Sequence, residues 1–487
     1  MSLSKSRFVS GLQCPKKLWW QVHEPDAPEL VPDPDTQIVF DRGHQVGELA
    51  RAYVPGGILI DFEYYQVAEK VEATARALAD GAPAIYEASF IADDVFVAVD
   101  ILERNGDAFS LVEVKATLGV KEVHLPDVAI QLHVARRSGL VVERAEVMHL
   151  NRECRYPDLS NLFVRENVTS ELQNELRAAP ARIDWLLTML KDPLPEVATG
   201  PQCTSPYVCP FLDRCWPSLP EHHISTLHGI RAKRVAALLS EGYHTLYDLP
   251  DEFDARGAAM RQLQSIRLGR PVVEPGLAEA LQSLTPPIAF LDFETIMPAV
   301  PVWPGCRPFQ QVPVQFSCHV LDNGQLTHHA WLADGPGDPR EAIARAMIDA
   351  CAGAKTVLAY NATFEKQRIR ALIEALPHLE PELTALLGSI HDLLAIVRNH
   401  VYHLDFQGSF SIKQVLPALV PGLGYDDLEI QDGGTASAKL EALLLGGDAF
   451  TPEERLNLRE QLLRYCEFDT MAMVRLYERL YELARDR

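Results

Sequence analysis

The chain has 487 residues, which exceeds the ~100–200 residues of a typical single domain, so two or three domains are expected. Its hydrophobic content of 47% and charged content of 23% are typical of a packed globular protein and exclude a disordered chain. The net charge of −22 argues against a broad basic platform for duplex nucleic acid, although bound metal ions or a narrow basic channel would still admit that partner.

Two features of the sequence bear on where the protein works. No stretch approaches the ~18 uninterrupted apolar residues of a membrane span, and the N-terminus lacks the apolar run of a signal peptide. We therefore expect a cytoplasmic protein without a membrane partner. The nine cysteines are then expected to be reduced, so clustered ones are better read as metal or cluster ligands than as disulfide partners.

Proline-rich segments divide the chain into predicted domains. Such segments at 26–35 and 192–220 bracket a first domain, residues 1–220. A short helical stretch and a loop rich in Arg and Gly follow, and we interpret 221–285 as a helical linker domain. Residues 286–487 combine strand-like runs, a hairpin signal at Asp322-Asn323-Gly324 and amphipathic helices, which predicts an α/β domain.

Residues 95–116 form the clearest predicted hairpin of the first domain. Two β-rich runs are joined by Asn105-Gly106, a strong turn signal because both positions of such a loop require positive φ. With these two residues as the loop, counting outward places Asp100 opposite Leu111. Cross-strand partners share a face and side chains alternate along a strand, so this register predicts which charged residues lie together.

The predicted face carries Asp100, Glu113 and Lys115. Two carboxylates within reach of each other are the hard oxygen ligands that hold Mg²⁺ or Mn²⁺, and a lysine stabilises charge that develops on a phosphate. A solvated, salt-bridged face is the alternative interpretation. The pattern resembles the PD-(D/E)xK nuclease core, with Asp100 as the first acid and Glu113-Val114-Lys115 as the E-x-K element.

Two helical segments extend this resemblance to the RecB-like subgroup. Residues 128–139 are similar to its Gln-bearing helix, which implies Gln131 at the catalytic edge, and a polar core residue is the alternative. Where RecB-like nucleases usually place a metal-binding histidine, this chain has Gly47. His44 and Glu48 are the nearby metal candidates, of which we favour Glu48 over the alternative of an ordinary surface glutamate.

Four cysteines of the first domain form a further candidate site. Cys203, Cys209 and Cys215 recur every six residues in a Pro- and aromatic-rich loop, and Cys14 lies near the other end of the domain. Four thiolates suit a [4Fe–4S] cluster or a tetrahedral zinc ion, and four unrelated buried cysteines are the alternative. One distant and three close cysteines resemble the iron–sulfur nucleases of the RecB-like class, including CRISPR-associated members and the AddB subunit. The resemblance implies a [4Fe–4S] cluster that joins the ends of the domain, with zinc as the alternative.

The stretch 222–250 resembles a helix-hairpin-helix element with its hairpin at 228–230. Such hairpins present backbone N–H groups at a helix start to phosphates. Three basic residues follow the hairpin: Arg231, Lys233 and Arg234. A structural spacer is the alternative interpretation.

The last domain carries a second set of acids. Asp292 and Glu294 alternate with apolar residues on a predicted buried strand, so both point to one face, and buried acids are costly unless something binds them. On a later helix, Tyr465 and Asp469 are spaced i and i+4 and share a face. Glu365 lies where another strand runs into a helix. A packing tyrosine and a solvated aspartate are the alternatives.

This second set resembles the DEDDy exonucleases of the RNase H-like fold. The resemblance implies a D-x-E motif on the strand, Glu365 at the second motif and a Y-x-x-x-D motif on the helix. In that class four acids hold two metal ions and the tyrosine orients the nucleophile. Glu365 stands where aspartate is usual, which puts the metal spacing in question, and Asp392 is a spare acid.

The segment 408–438 resembles a family-specific insertion in an uncharacterised bacterial family that fuses a RecB-like nuclease to such an exonuclease-like domain. The expected fold is α/β: a PD-(D/E)xK restriction-endonuclease-like domain and an RNase H-like domain, joined by a small helical segment. The expected function is a metal-dependent nuclease acting on nucleic acid, DNA rather than RNA, in repair, recombination or defence, with a helicase or another repair or defence protein as partner. The alternative is a nucleic-acid-binding or assembly module with one or both sites inactive.

Overall fold

The computed structural model describes residues 3–216, 218–447 and 449–485. Its secondary structure is mixed α/β, and the chain divides into two compact units. The first comprises 1–217 and 299–309, and the second comprises 218–298 and 310–487. The predicted linker segment lies within the second unit. In the part of the chain that the structure describes, every helix is too short or too polar to cross a membrane.

The described residues of the first unit form seven strands and seven α-helices. In chain order these are β1 (Leu3–Ser4), α1 (Lys5–Gln13), α2 (Pro15–His23), α3 (Pro34–Arg51), β2 (Ile58–Leu59), α4 (Val67–Ala79), β3 (Ala84–Ala92), β4 (Val95–Asn105), β5 (Ala108–Lys115), α5 (His124–Arg137), β6 (Val142–Leu150), β7 (Phe163–Asn167), α6 (Gln173–Met189) and α7 (Leu212–Cys215). Single 3-10 turns lie at Pro28–Leu30 and Pro201–Cys203.

All strands of the first unit belong to one mixed sheet. Its path runs β2-β3-β4-β5-β6-β7, and β1 also pairs with β4. β3, β4 and β5 are antiparallel neighbours, whereas β5 and β6 are parallel and are therefore joined by a crossover, which contains α5. Apolar side chains of α1, α5 and α6 cover one face of the sheet, and those of α3 cover the other.

The loop of the β4–β5 hairpin differs from our prediction. Asn105 pairs with Ala108, so the two-residue loop is Gly106-Asp107. Gly106 takes the positive φ of 64° at the first loop position, where glycine is favoured because it has no Cβ. The Asn105 side chain instead donates to Ser110 Oγ at 2.7 Å. Asn105 therefore ends the strand instead of starting the turn.

This correction changes which residues face each other across the hairpin. Because Ile101 pairs with Val112, the next position outward sets Asp100 against Glu113, where we had placed Leu111. A shift of two positions keeps every side chain on its predicted face, since strand side chains alternate with period two. Continued by one position beyond the last pair, the observed register thus sets Asp100 opposite Glu113 and not diagonal to it.

The short strand β1 brings the start of the chain to the same hairpin. It pairs in parallel with the first two residues of β4, beyond the point where β5 stops pairing with that strand. Ser4 then caps α1 by accepting from the Arg7 backbone N–H at 3.2 Å. Lys5 is consequently held beside the open end of the hairpin.

The described residues of the second unit form seven further strands and ten helices. In chain order these are α8 (Ala232–Ser240), α9 (Ala258–Leu268), β8 (Val272–Val273), α10 (Gly276–Gln282), β9 (Ile288–Ile296), β10 (Val312–Asp322), β11 (Gln325–Leu332), α11 (Arg340–Ala350), β12 (Thr356–Ala359), α12 (Thr363–Ala375), α13 (Glu380–Ser389), β13 (Ile390–Asp392), α14 (Leu393–His400), β14 (Val401–Tyr402), α15 (Ile412–Leu419), α16 (Gly433–Leu445) and α17 (Pro452–Arg485). Single 3-10 turns lie at Ile224–Thr226, Leu246–Asp248, Pro377–Leu379 and Leu404–Phe406.

The first helices of this unit depart from the sequence prediction in two ways. α8 follows the predicted hairpin, in which Gly229 has a φ of 73°, but only a single 3-10 turn precedes it instead of a regular helix. The segment predicted as a loop rich in Arg and Gly contains α9, because Leu263 and Ile266 recur at helical spacing and pack with Leu238. The basic residues after the hairpin are exposed: Arg231, Lys233 and Arg234.

A five-stranded sheet organises the rest of the second unit, in the order β11-β10-β9-β12-β13. β9 is antiparallel to β10 and parallel to β12, and β12 is parallel to β13. The β10–β11 hairpin turns at Asn323-Gly324 as predicted, with φ values of 49° and 81°. β8 and β14 form a separate two-stranded sheet.

Both faces of the central strand β9 are covered by helices. Successive side chains of β9 point to opposite faces, so the residues on each face can be identified. Leu291 and Phe293 pack with α11, α12 and α13, whereas Phe290 packs with α14, α15 and α17. Because side chains alternate, Asp292 and Glu294 share the face of Phe290. The predicted acids therefore lie on the α17 side of the sheet.

Candidate active sites

The β4–β5 hairpin brings the first predicted set together. Glu113 is 1% exposed, and its Oε1 accepts from Lys115 Nζ at 2.7 Å. The backbone N–H of Val114 donates to Asp100 Oδ2, also at 2.7 Å. The three predicted residues line one pocket of about 630 Å³, which is within the size range of small-ligand sites.

Two side chains of helix α5 contact the charged residues of this pocket. Gln131 is buried and donates through Nε2 to Glu113 Oε2 at 2.7 Å, so it holds the carboxylate from inside the fold. Asp127 Oδ2 accepts from Lys115 Nζ at 2.5 Å. Asp127 was not among the residues predicted from the sequence, although its i, i+4 spacing from Gln131 is a signal that places both on one helix face.

Lys5 is a second residue of this site that the sequence analysis missed. Its Nζ lies 2.9 Å from Glu113 Oε1 and 3.7 Å from Asp127 Oδ1. Lys5 and Glu113 are 108 residues apart in the chain, so no local pattern indicates their contact. The parallel pairing of β1 with β4 produces it.

The pKa values of the two acids in this pocket, Asp100 and Glu113, shift in opposite directions. Burial raises the pKa of Asp100 to about 7, and the Glu113 carboxylate adds to that rise. Burial alone would also raise the pKa of Glu113, but the ammonium groups of Lys5 and Lys115 outweigh it and hold that pKa well below its usual range. The pocket thus pairs an ionised acid with one that titrates near neutral pH, an arrangement common at functional sites.

His44 and Glu48 lie on α3 and line the same pocket. Both are exposed. Among the described residues, two groups of three ligand atoms lie within 4.8 Å of one another, and neither group contains these side chains. Gly47 also lines the pocket, and a Cβ added to it would meet no atom within 4 Å.

The four predicted cysteines are free thiols in one neighbourhood. Cys14, Cys203 and Cys209 are buried, and Cys215 is half-buried. Burial raises the pKa of Cys209 and Cys215, and the Cys14 thiol raises both further. Cys203 acts on Cys215 in the same way. Within the described parts of the chain, neither group of ligand atoms that lie within 4.8 Å contains a cysteine.

Helix α1 is hydrogen-bonded to the loop that carries Cys203, Cys209 and Cys215, which we call the cysteine loop. Gln13 Nε2 donates to the carbonyl oxygens of Gln202 at 2.8 Å and Tyr207 at 2.7 Å, and Gln13 Oε1 accepts from Lys17 Nζ at 2.9 Å. Burial lowers the pKa of Lys17, and two of the cysteines oppose that effect. Tyr207 is 55% exposed and lines the first pocket, so the cysteine loop borders it.

The second predicted set converges between β9 and α17. Carboxylate oxygens of Asp292, Glu294 and Asp469 all lie within 4.8 Å of one another, and we call these three residues the acid cage. Tyr465, one helical turn before Asp469, is buried and hydrogen-bonds to its carboxylate. The strand and the helix therefore bring the two predicted motifs into one site.

Glu365 approaches the acid cage from α12. It is 3% exposed, and its Oε2 has no hydrogen-bond partner among the described residues. Burial raises its pKa to about 8, with the Asp392 carboxylate adding to the rise. Glu365 in turn raises the pKa of Asp292. Asp392, the spare acid, acts on Glu365 and accepts from the Asn361 backbone N–H at 3.2 Å.

The segment 408–438 supplies two residues that the sequence analysis missed. Tyr425 donates through its hydroxyl to Asp469 Oδ1 at 2.5 Å. Lys413 Nζ lies 5.4 Å from the centre of the Tyr425 ring, and its charge acts on both Asp469 and Glu294. A lysine and a tyrosine within a segment already noted as unusual are the only sequence signal of this role.

Burial and mutual repulsion dominate the electrostatics of the acid cage. Burial raises the pKa of Asp292 and of Glu294, and the charge of Asp469 adds to both shifts. Burial raises the pKa of Asp469 only to about 6, because hydrogen bonds from Tyr425 and Tyr465 and the charge of Lys413 oppose it. Buried like charges of this kind are unfavourable unless cations compensate them.

Comparison with known proteins covers parts of the chain. Residues 289–411 match a family described as a domain of unknown function, DUF2779. The chain is also 26% identical over 214 residues to the "Uncharacterized protein MG366 homolog" of Mycoplasma pneumoniae, across 40% of this chain and 32% of that protein. The chain thus spans about a third of the length of this curated relative. The matched family region contains Asp292, Glu294 and Glu365 but ends before Tyr465 and Asp469.

Proposed function

We propose that the protein is a metal-dependent nuclease that hydrolyses phosphodiester bonds of nucleic acid, with DNA favoured over RNA. The observation that carries the proposal is the convergence of Asp292, Glu294 and Asp469 within 4.8 Å, with Tyr465 bonded to the last of them. Carboxylates gathered from a strand and a helix resemble the two-metal site of DEDDy exonucleases of the RNase H-like fold. We propose that fold for the second unit and a PD-(D/E)xK fold of the RecB-like type for the first.

The donor set of the acid cage fits Mg²⁺ or Mn²⁺. All its ligands are hard carboxylate oxygens, and the unpartnered Oε2 of Glu365 offers another. Two such ions, when bound, would activate water and stabilise the leaving oxygen. Tyr465 and Tyr425 hold the Asp469 carboxylate in place. Lys413 adds the positive charge that a phosphate group requires.

The first pocket supports a second cutting site. Asp100 and Glu113 would hold a divalent cation there, while Gln131 fixes the Glu113 carboxylate and Lys115 faces the position of a phosphate. Lys5 adds a second ammonium group at the same acid. The side chains of α3 that line the pocket are candidates for completing the ligand shell.

We propose that the cysteine set holds a [4Fe–4S] cluster, with zinc as the alternative. Tetrahedral zinc with Zn–S bonds of about 2.3 Å needs sulfurs about 3.8 Å apart, whereas the cysteines belong to no group within 4.8 Å among the described residues. Protein purified anaerobically should be coloured, with broad absorbance in the visible range, and should contain about four iron atoms per chain. Cys209→Ser should abolish both, and Cys154→Ser, a buried cysteine outside the set, should not. Zinc without iron in the purified protein would contradict the cluster.

Two single substitutions separate the two proposed sites. Asp292→Asn and Glu113→Gln remove one carboxylate from each, and the exposed residues Asp254→Asn and Glu122→Gln are matched controls. Single- and double-stranded DNA and RNA, labelled at either end, would be incubated with each protein and Mg²⁺ or Mn²⁺. We expect each site variant to lose about a hundredfold or more of one cleavage activity, while the controls cut like the wild-type chain.

These assays also contain the result that would contradict the proposal. Wild-type protein that cuts none of the substrates, or site variants that cut as fast as their controls, would remove the basis for a nuclease. Shortened strands that keep the label on one end would show that the second site removes nucleotides from the other end, which assigns the direction of cleavage. Cleavage of RNA in preference to DNA would correct the substrate class.

A nucleic-acid-binding module with an inactive first site is the second candidate function. One observation favours it: Glu113 Oε1 is already paired with Lys5 at 2.9 Å and with Lys115 at 2.7 Å. An acid with two ammonium partners attracts a metal ion less strongly than a free one. Nucleic-acid binding that survives Glu113→Gln, together with no cleavage assigned to the first site, would support this alternative.

A further inference from the structure

His319, His328 and Glu467 form a second group of ligand atoms within 4.8 Å of one another, and it shares no residue with the acid cage. His319 on β10 and His328 on β11 are direct cross-strand partners, and their rings stack with centres 4.4 Å apart. Glu467 comes from α17, and its Oε1 lies 3.6 Å from His328 Nδ1. A hairpin and a helix thus present two imidazoles and a carboxylate to one point.

Hydroxyl groups hold the opposite edges of both imidazoles. Thr470 donates through Oγ1 to the carbonyl oxygen of Glu467 at 3.0 Å, so its own oxygen accepts from His319 Nδ1 at 2.8 Å and from Ser317 Oγ at 2.7 Å. Because the Ser317 hydroxyl uses its one hydrogen in the bond to Thr470, its oxygen accepts from His328 Nε2–H at 2.9 Å. The nitrogens left with lone pairs are therefore His319 Nε2 and His328 Nδ1.

This pattern leaves two acceptors facing each other. With this tautomer His328 Nδ1 is an acceptor, and it lies 3.6 Å from the Glu467 carboxylate, which is another acceptor. A cation between His328 Nδ1 and the Glu467 carboxylate would accept a lone pair from each, which removes the repulsion between them. We propose that His319 Nε2, His328 Nδ1 and the Glu467 carboxylate bind a divalent transition metal ion, with Zn²⁺ as the best fit.

The ligand chemistry separates this site from the acid cage. Two imidazole nitrogens and one carboxylate are a mixed set that suits zinc and similar ions, whereas an all-carboxylate cage suits Mg²⁺ or Mn²⁺. Zinc held by three protein ligands keeps a fourth position for water. The hydrogen bonds from each ring to a hydroxyl are the kind that fix the orientation of metal-binding histidines.

The position of the site would let the bound ion connect two elements of the second unit. It would join the β10–β11 hairpin to α17 in the helical turn that also carries Thr470 and Asp469. Fixing that turn fixes the direction from which Asp469 enters the acid cage. The binding of zinc itself does not depend on the proposed nuclease activity, so the two can fail separately.

Zinc retention by matched variants tests this site. The full chain and the variants His328→Gln, Glu467→Gln and His329→Gln would be equilibrated with Zn²⁺, dialysed against metal-free buffer and analysed for zinc by mass spectrometry. His329 is the matched control, because it is the next residue along β11 and its side chain points to the opposite face. We expect the first two variants to lose about one equivalent of zinc relative to the wild-type chain, and the control to lose none.

The differences between variants are the readout, since the cysteine set is able to hold zinc as well. Circular dichroism would establish that each variant keeps the wild-type fold. Asp292→Asn should retain the same zinc as the wild-type chain, which separates this site from the acid cage. Equal zinc in all four chains, or a loss caused by Asp292→Asn in place of His328→Gln, would overturn the inference.

Discussion

Removing one charge from the acid cage should stabilise the metal-free protein while abolishing its response to metal. The substitution is Asp292→Asn, which keeps the size of the side chain and removes its charge. Asp292, Glu294 and Asp469 lie within 4.8 Å of one another, and burial raises the pKa of all three. The fold therefore holds together groups that repel one another when ionised, as functional sites often do at the expense of stability.

The size of the gain follows from the distance between the charges. Two unit charges 4.8 Å apart repel by roughly 3.5 kcal/mol at an effective dielectric constant of about 20. The cage avoids part of this cost by taking up protons, so we expect Asp292→Asn to raise the free energy of unfolding by about 1–3 kcal/mol at pH 8. Each kcal/mol corresponds to roughly 2–4 °C in Tm for a domain of this size.

The gain in the free energy of unfolding from Asp292→Asn should be larger at high pH than at low pH. A carboxyl whose pKa is higher in the folded than in the unfolded state favours folding most below its unfolded pKa, and this contribution is lost as the pH rises through the folded pKa. Asp469 has a pKa of about 6, and the pKa values of Asp292 and Glu294 are raised as well. The wild-type chain should therefore lose more stability than the variant between about pH 4 and pH 8.

Thermal unfolding in EDTA and in Mn²⁺ measures both effects. Asp254→Asn is the control, since that side chain is 85% exposed. Mn²⁺ at about 1,000 times its Kd for the acid cage should add about 4.1 kcal/mol to the wild-type chain and the control, but not to Asp292→Asn. This addition exceeds the gain from the substitution, so the order of stabilities reverses. Mn²⁺ that binds at the first pocket would raise the free energy of unfolding of all three chains by the same amount, so it would not change their order. A variant less stable than the wild type in EDTA at pH 8, or equally stabilised by Mn²⁺, would refute the reasoning.

Two further substitutions test residues found only in the structure. Lys5→Met should slow cleavage by the first site about a hundredfold without unfolding the chain, because it removes one of two ammonium groups at the buried acid; the exposed Lys191→Met is its control in the same assay. Tyr425→Phe should slow cleavage by the second site about tenfold or more by removing a hydrogen bond to a carboxylate. That bond lowers the pKa of Asp469, so the loss should be larger at pH 6 than at pH 8. Tyr481→Phe is the control, since Tyr481 lies on α17 with Asp469 but donates to the Leu281 carbonyl oxygen, and it should leave the pH profile of cleavage unchanged.

Local patterns in the sequence predicted elements well where chain neighbours decide the conformation. The turn at Asn323-Gly324 is confirmed, because both residues adopt the positive φ that the signal implies. The same dipeptide at Asn105-Gly106 was placed one position too early. There the Asn105 side chain bonds to Ser110 Oγ, which keeps that residue in the strand and moves the turn. A turn signal thus predicts that a hairpin exists more reliably than it predicts the register.

Contacts between distant segments could not be read from the sequence. Lys5 reaches Glu113 across 108 residues, and Tyr425 reaches Asp469 across 44. Neither pair has a periodic spacing or a motif, and each depends on how a sheet or helix is assembled. The predicted acids were found because each motif lies on a single element, whereas the groups that neutralise or hold them come from elsewhere in the fold.

The two candidate sites differ in where their positive charge comes from, and this difference predicts how a chain with a net charge of −22 would bind nucleic acid at each of them. At the first site, Lys5 and Lys115 both pair with Glu113, so a phosphate would meet cations that belong to the chain. In the acid cage Lys413 stands against four carboxylates, counting Glu365, and the local field stays negative until metal binds. Nucleic acid would then approach the second site only after its metals, so its binding there should require divalent cations while binding at the first pocket should not.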